Sequence, residues 1–288
     1  NAEVASTMFT GKEIVPITNG VHHLTWTIPP MAKLFDSHLD GWREEPNLLH
    51  GANKIPNSEL MESRESARQI LRELVEASTG VKLEKDRLTI GFARRFATYK
   101  RANLVFHDLE RLRKIGSGKI QFVFSGKAHP RDEGGKALIK SIFDSAKELE
   151  KDIPIAFIED YSMATGLAMT GGVDIWLNNP IRPMEASGTS GMKAAMNGVP
   201  NCSILDGWWP EGCEHGVNGW AIGEANDERN DVRDAKNVLD VIENEVLTAW
   251  RDGEEKWCDM MRASIATSAG FTGARMIRDY LPYYDSFE

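Results

Sequence analysis

Residues 88–125 read LTIGFARRFATYKRANLVFHDLERLRKIGSGKIQFVFS. Two apolar runs of six residues, 88–93 and 120–125, are separated by 26 mostly polar positions. Hairpin loops take about two to five residues, so a gap of this length is a crossover and the two runs pair in parallel. Within the gap, 104–114 places its apolar residues at helical spacing. The same alternation continues: 155–159 (IAFIE), 173–177 (VDIWL) and 202–205 (CSIL) read as strands, with helical stretches at 135–149 and 191–197. This is the signature of a parallel α/β layer, in which ligands sit beyond the carboxyl ends of the strands.

Outward from that unit, 15–18 (VPIT) reads as a weak strand. Residues 60–77 read as a helix whose apolar stripe is Leu60, Ala67, Ile70, Leu71 and Leu74, with Glu and Arg on the other faces. After Gly223 the chain turns helical and charged, at 231–251, 254–266 and 273–284, and the best boundary lies at 80–87. The 288 residues carry 34 Lys+Arg against 43 Asp+Glu, a net charge of −9, which argues against a general nucleic-acid or basic membrane-surface binder. A hydrophobic content of 41% excludes intrinsic disorder. No apolar run approaches a membrane span and no leader pattern opens the chain, so the expected location is cytoplasmic. Cys202, Cys213 and Cys258 lack CxxC spacing and read as buried fillers. His22, His23 and His129 read as structural or solvent-facing, and no metal site is expected.

Two segments carry candidate chemistry. Arg94, Arg95, Lys100 and Arg101 put four cations into eight residues directly after a strand. They are either a solvated helix start or an anion site, and cations at a helix N-terminus need an anion to compensate them. Residues 183–193, PMEASGTSGMK, form a loop of small residues opening into a helix: either a plain turn or a cradle of backbone N–H groups for phosphate. It is not a Walker loop, since no Gly-Lys-Ser/Thr occurs. Lys193, at the start of that helix in an α/β core, should be partly desolvated, which lowers its pKa and favours reaction with an aldehyde. Glu185 precedes Lys193 by eight positions, where retaining nucleotide-sugar transferases carry a second Glu, and Lys at that place counts against such a transferase.

With these motifs the chain resembles the α-glucan phosphorylases, in their shorter bacterial and archaeal branch. Residues 185–193, EASGTSGMK, are similar to the family's coenzyme motif EASGTGNMK; residues 94–101, RRFATYKR, are similar to KRxxxYKR. Residues 125–130 (SGKAHP) resemble GGKAxP, 159–161 (EDY) resemble ENY, and 19–26 (NGVHHLTW) resemble NGITPRRW. The segment 206–212, DGWWPEG, departs from the longer enzymes' DGANVE. There Trp208 and Trp209 read as an exposed loop packing on itself or as a sugar platform.

The resemblance implies a Rossmann-like doubly wound sheet, the C-terminal domain of a two-domain GT-B glycosyltransferase. It implies residues 1–80 as the end of a first domain and a crossing segment, 81–270 as the coenzyme-binding domain, and 271–288 as a crossover helix. Lys193 would bond pyridoxal 5'-phosphate, with Trp26, Arg94, Lys100, Tyr161, Gly188 and Thr189 around the coenzyme. Arg95 would hold the substrate phosphate; Asn19, Glu185, Ser187 and Gly188 would contact glucose. Arg95, Lys100 and Glu185 would form the catalytic set for reversible, retaining phosphorolysis of α-glucan or maltodextrin by inorganic phosphate to glucose 1-phosphate. The alternatives are a nucleotide-sugar-dependent retaining glycosyltransferase and a non-catalytic carbohydrate-binding remnant of the fold. The family's first domain is expected to be missing, and its site to be incomplete without it. Met276, Ile277, Tyr280 and Leu281 are expected to present an apolar face on the last helix.

Overall fold

Six strands, β1 (Leu88–Ala93), β2 (Ile120–Ser125), β3 (Ile155–Ile158), β4 (Ile175–Asn178), β5 (Asn201–Ile204) and β6 (Gly219–Ile222), form the centre of the molecule. The structure is a computed structural model and describes residues 2–225 and 228–284. All neighbouring strands pair in parallel, in the order β3-β2-β1-β4-β5-β6, which is the order of the doubly wound dinucleotide-binding fold. Leu88 lies opposite Ile120 and Ala93 opposite Ser125. Both strands are buried at every position, so they read as unbroken apolar runs rather than as alternations.

The structure departs from the sequence reading at several places. Residues 15–18 form no strand: Pro16 offers no N–H to a ladder, and pairing begins only at the single bridge between Val21 and Thr272. The edge strand β6 was not anticipated, because Gly-Trp-Ala-Ile is short; it is anchored by Trp220, whose carbonyl accepts from Trp209 Nε1 at 3.2 Å. Trp208 and Trp209 are not an exposed loop. Each is 1% exposed, with Trp208 edge-on to Phe271 at 4.7 Å and tilted 57° against Trp209 at 5.0 Å.

The helix Asn57–Thr79 packs on the helix Met163–Gly172. Leu60, Ala67 and Leu71 are buried as the stripe requires, but Ile70 is exposed. Arg64 and Arg68, expected on an outer face, are buried against the carboxylate of Asp174, which is 1% exposed. Arg68 Nε lies 3.1 Å from Asp174 Oδ1, and the Thr89 N–H donates to Oδ2 at 2.8 Å. The Arg64 guanidinium also lies over Trp250 at 4.9 Å and Trp257 at 5.7 Å. This cluster fastens the helix to the amino ends of β1 and β4, opposite the end where ligands are expected.

One apolar cluster runs from Val21, Ile28 and Phe35 through the sheet to Phe271. Cys202 and Cys258 are buried and Cys213 is half-buried, its thiol pushed up to about 12 by burial. On the last helix, Gly273–Tyr284, no residue is buried; Ile277, Tyr280 and Leu281 are exposed as expected and Met276 is half-buried. Residues 285–288 of the expected crossover segment lie outside the described residues. Among the described residues, no helix is long and apolar enough to cross a membrane.

Candidate functional site

The order of the strands reverses between β1 and β4, and the loops that leave their carboxyl ends carry both candidate segments. These loops are fastened to one another. The Ile181 N–H donates to Tyr99 O at 2.7 Å, and the Asn179 amide donates to Arg101 O at 2.6 Å. Arg101 returns two bonds, from Nε to Asn179 O at 3.0 Å and from Nη2 to Pro180 O at 2.8 Å. Its Nη1 meets Asp231 at 2.9 Å and Asp234 at 2.6 Å. Arg101 therefore belongs to the scaffold, already neutralised, and leaves the anion-site reading to the other three cations.

Arg94 and Lys100 converge on Glu185, a carboxylate 7% exposed. Arg94 Nη1 lies 2.8 Å from Glu185 Oε2 and also donates to Asn178 at the end of β4, while Lys100 Nζ donates to the same Oε2. Burial and then the Arg94 charge hold the Lys100 pKa below the ordinary lysine value, with Glu185 opposing. Glu185 is itself positioned: its N–H donates to Asp206 Oδ2 at 2.9 Å, and burial raises the Asp206 pKa. Arg95 has no ion pair among the described residues; with Arg94 and Tyr161 it lines a cavity of about 390 Å³. Two cations thus share one carboxylate while Arg95 stands beside them, an excess of positive charge that suits phosphate groups.

Lys193 lies one turn inside the helix Thr189–Met196 rather than at its first residue. Its ammonium sits 3.4 Å from the centre of the Trp26 ring and has no hydrogen bond or ion pair among the described residues. Burial lowers its pKa, as the sequence led one to expect. Tyr161 and Trp26 close over Gly166, where a Cβ would lie 2.5 Å from the phenol oxygen, and burial raises the Tyr161 pKa. The helix begins after Gly188, at φ 77°, with no side-chain cap on its first-turn amides. Asn19 and Ser187 line a second cavity, of about 260 Å³. The Ser187 hydroxyl has no hydrogen-bond partner among the described residues.

Sequence reasoning missed Asn197, 2% exposed, which holds Trp26 over Lys193. Its amide donates to Trp26 O at 2.7 Å and Lys193 O at 2.9 Å, and its oxygen accepts the Ile28 N–H at 2.8 Å. A polar residue following an apolar helix, just before Gly198, was the available signal. Asn197→Ala is expected to cost about 2–4 kcal/mol, three bonds of about 1 kcal/mol plus a stranded donor, measured by urea unfolding; a loss below about 1 kcal/mol would mean that the Trp26 segment is held by packing alone. His23 is buried with Nε2 2.7 Å from Arg43 O, His22 Nδ1 is 2.8 Å from Thr25 Oγ1, and His129 Nδ1 accepts the Arg131 N–H at 3.1 Å.

The donor set fits pyridoxal 5'-phosphate: an amine without an acid partner for the aldehyde, uncapped amides and surplus cations for the phosphate. The sequence profile described as carbohydrate phosphorylase matches residues 6–214. The chain is 42% identical to the maltodextrin phosphorylase of Thermococcus litoralis, over 94% of this chain and 35% of that protein. It is 39% identical to the glycogen phosphorylase of Aquifex aeolicus, over 98% of this chain and 45% of that protein. A glycogen phosphorylase of Mycobacterium tuberculosis is 36% identical over 93% of this chain and 34% of its own length. The chain thus spans less than half the length of these relatives.

Proposed function

The chain belongs to the carbohydrate phosphorylase family, and we propose that it carries the coenzyme-bearing part of an α-1,4-glucan phosphorylase, which splits α-glucan or maltodextrin with inorganic phosphate to give glucose 1-phosphate. The observation that carries this reading is Lys193: an amine with a lowered pKa under the Trp26 ring, in a segment reading EASGTSGMK. In this reading residues 1–80 end a first domain and cross over, 81–270 hold the coenzyme, and 271–288 return to a first domain that completes the site. The proposed setting is the cytoplasm.

Pyridoxal 5'-phosphate, when bound, would supply acid–base chemistry through its phosphate group, a proton reaching the glycosidic oxygen by way of the substrate phosphate. Lys193 would hold the coenzyme's aldehyde carbon, Trp26 and Tyr161 would flank it, and Gly188 and Thr189 would offer backbone to its phosphate. Arg94 and Lys100, now paired with Glu185, would turn to the anionic oxygens, since two phosphates in contact repel unless cations surround them. Glu185, released from that pair, would accept hydrogen bonds from glucose hydroxyls together with Asn19 and Ser187. Arg95, with no competing acid among the described residues, would hold the substrate phosphate. That phosphate anion would stabilise the developing positive charge at the anomeric carbon, so no carboxylate nucleophile is required.

Arg95→Ala tests this assignment. In maltodextrin phosphorolysis by the holoenzyme the variant is expected to raise KM for phosphate by about tenfold or more, the loss of one charge-assisted bond. KM for glucan should move less than about twofold. Equal losses for both substrates would argue against the role.

A further inference from the structure

The segment 206–212, where this chain departs from the longer enzymes' pattern, bonds two of the residues read here as sugar contacts and the neighbour of a third. Asp206 accepts the Glu185 N–H at 2.9 Å, and the Trp208 N–H donates to Ser187 O at 2.8 Å. The third link runs to Asn19. The Thr18 hydroxyl lies 2.9 and 2.7 Å from the two carboxylate oxygens of Glu211, which lines the same 260 Å³ cavity as Asn19 and Ser187.

Residues 13–20 have no regular secondary structure, so something other than a ladder must orient Asn19. Arg275 Nη2 donates to Thr18 O at 2.7 Å and Asn19 O at 3.0 Å. The Val21 N–H donates to Phe271 O at 2.9 Å, and a Cβ on Gly20 would overlap the Thr272 carbonyl oxygen. These bonds use the backbone of the segment and the Thr18 side chain. The Asn19 amide, exposed at the cavity, makes no hydrogen bond among the described residues.

We propose that Glu211 is a positioning residue for sugar recognition: through Thr18 it holds the Asn19 amide toward the cavity that Ser187 shares. This rests on the reading of Asn19 as a glucose contact. Glu211 itself accepts from protein, and its carboxylate fixes the one side chain adjacent to the contact residue.

The test is calorimetric binding of glucose 1-phosphate to the coenzyme-loaded protein, with hydrogen exchange as a second readout. Thr18→Val and Glu211→Gln are expected to weaken binding about threefold to tenfold, as Asn19→Ala does. The Thr18→Val/Asn19→Ala double variant should bind within about twofold of Asn19→Ala alone, because the clamp has no other route to the sugar. Additive losses would overturn the proposal. Exchange at the Val21 amide should quicken in Thr18→Val and Glu211→Gln and stay unchanged in Asn19→Ala. If the sugar reading itself fails, wild type shows no affinity for glucose 1-phosphate, and exchange then decides alone: an unchanged rate in Glu211→Gln overturns the clamp, and a faster one upholds it.

Discussion

Asp174→Asn is expected to lower the stability of the protein by about 3–5 kcal/mol, the cost of breaking a buried ion pair from one side. Two guanidiniums share this carboxylate, and both are buried, Arg64 at 8% and Arg68 at 5% exposure. Burial already lowers the Arg64 pKa, with the Asp174 charge as the largest opposing cause. An amide in that place keeps the shape and removes the charge, leaving the buried Arg64 without its acid partner while Arg68 keeps Glu65 as an acid partner, at 3.1 Å. Arg64 stacks on Trp250 and Trp257, so the loss is readable by tryptophan fluorescence during urea unfolding. Asp144→Asn, at the exposed Lys140–Asp144 pair, serves as the comparison and should move stability by less than about 0.5 kcal/mol. A loss below about 1 kcal/mol at Asp174 would mean that water reaches the pair and screens it.

The second large effect concerns Lys193. The neutral amine is the nucleophile toward an aldehyde, and burial favours that form by penalising the ammonium. The sign follows directly: with the folded-state pKa lowered, the neutral fraction rises at a lower pH than in a free lysine. Capture of pyridoxal 5'-phosphate by this protein should therefore reach half its maximal rate below pH of about 10.4, the ordinary lysine value. Lys193→Ala should remove the stoichiometric capture altogether, leaving slow, unsaturated labelling of surface lysines. A midpoint at or above the ordinary value would mean that Lys193 is solvated, and the low-pKa account would be wrong.

Strands β1 and β2 were legible to their ends because both faces are buried and each run is closed by a charged loop. The strand β6 was not, since four residues with one glycine carry little pattern, and its place is set by Trp220 against Trp209 and Trp257. The inward turn of Trp208 and Trp209 was equally invisible: Gly207 and Pro210 look like an exposed loop until Phe271, more than fifty positions on, closes over them. Arg64 and Arg68 looked like an outer helix face because Asp174 lies far along the chain. The site shows the same division. Residues such as Lys193 and Glu185 were readable from a local motif, as was the excess of cations at 94–101. That Glu185 lies between Arg94 and Lys100, and that Arg101 is spent on Asp231 and Asp234, depends on contacts between distant loops. Glu211 and Asn197 carry no motif, and only their bonds to Thr18 and to Trp26 reveal what they do.

The central claim is that Lys193 is the coenzyme lysine, and one measurement addresses it directly. The protein is incubated with pyridoxal 5'-phosphate, reduced with borohydride and digested, and the pyridoxyl group is located by peptide mapping. The account predicts one equivalent on the peptide containing Lys193. Labelling spread over other lysines, or no adduct after incubation, would contradict it.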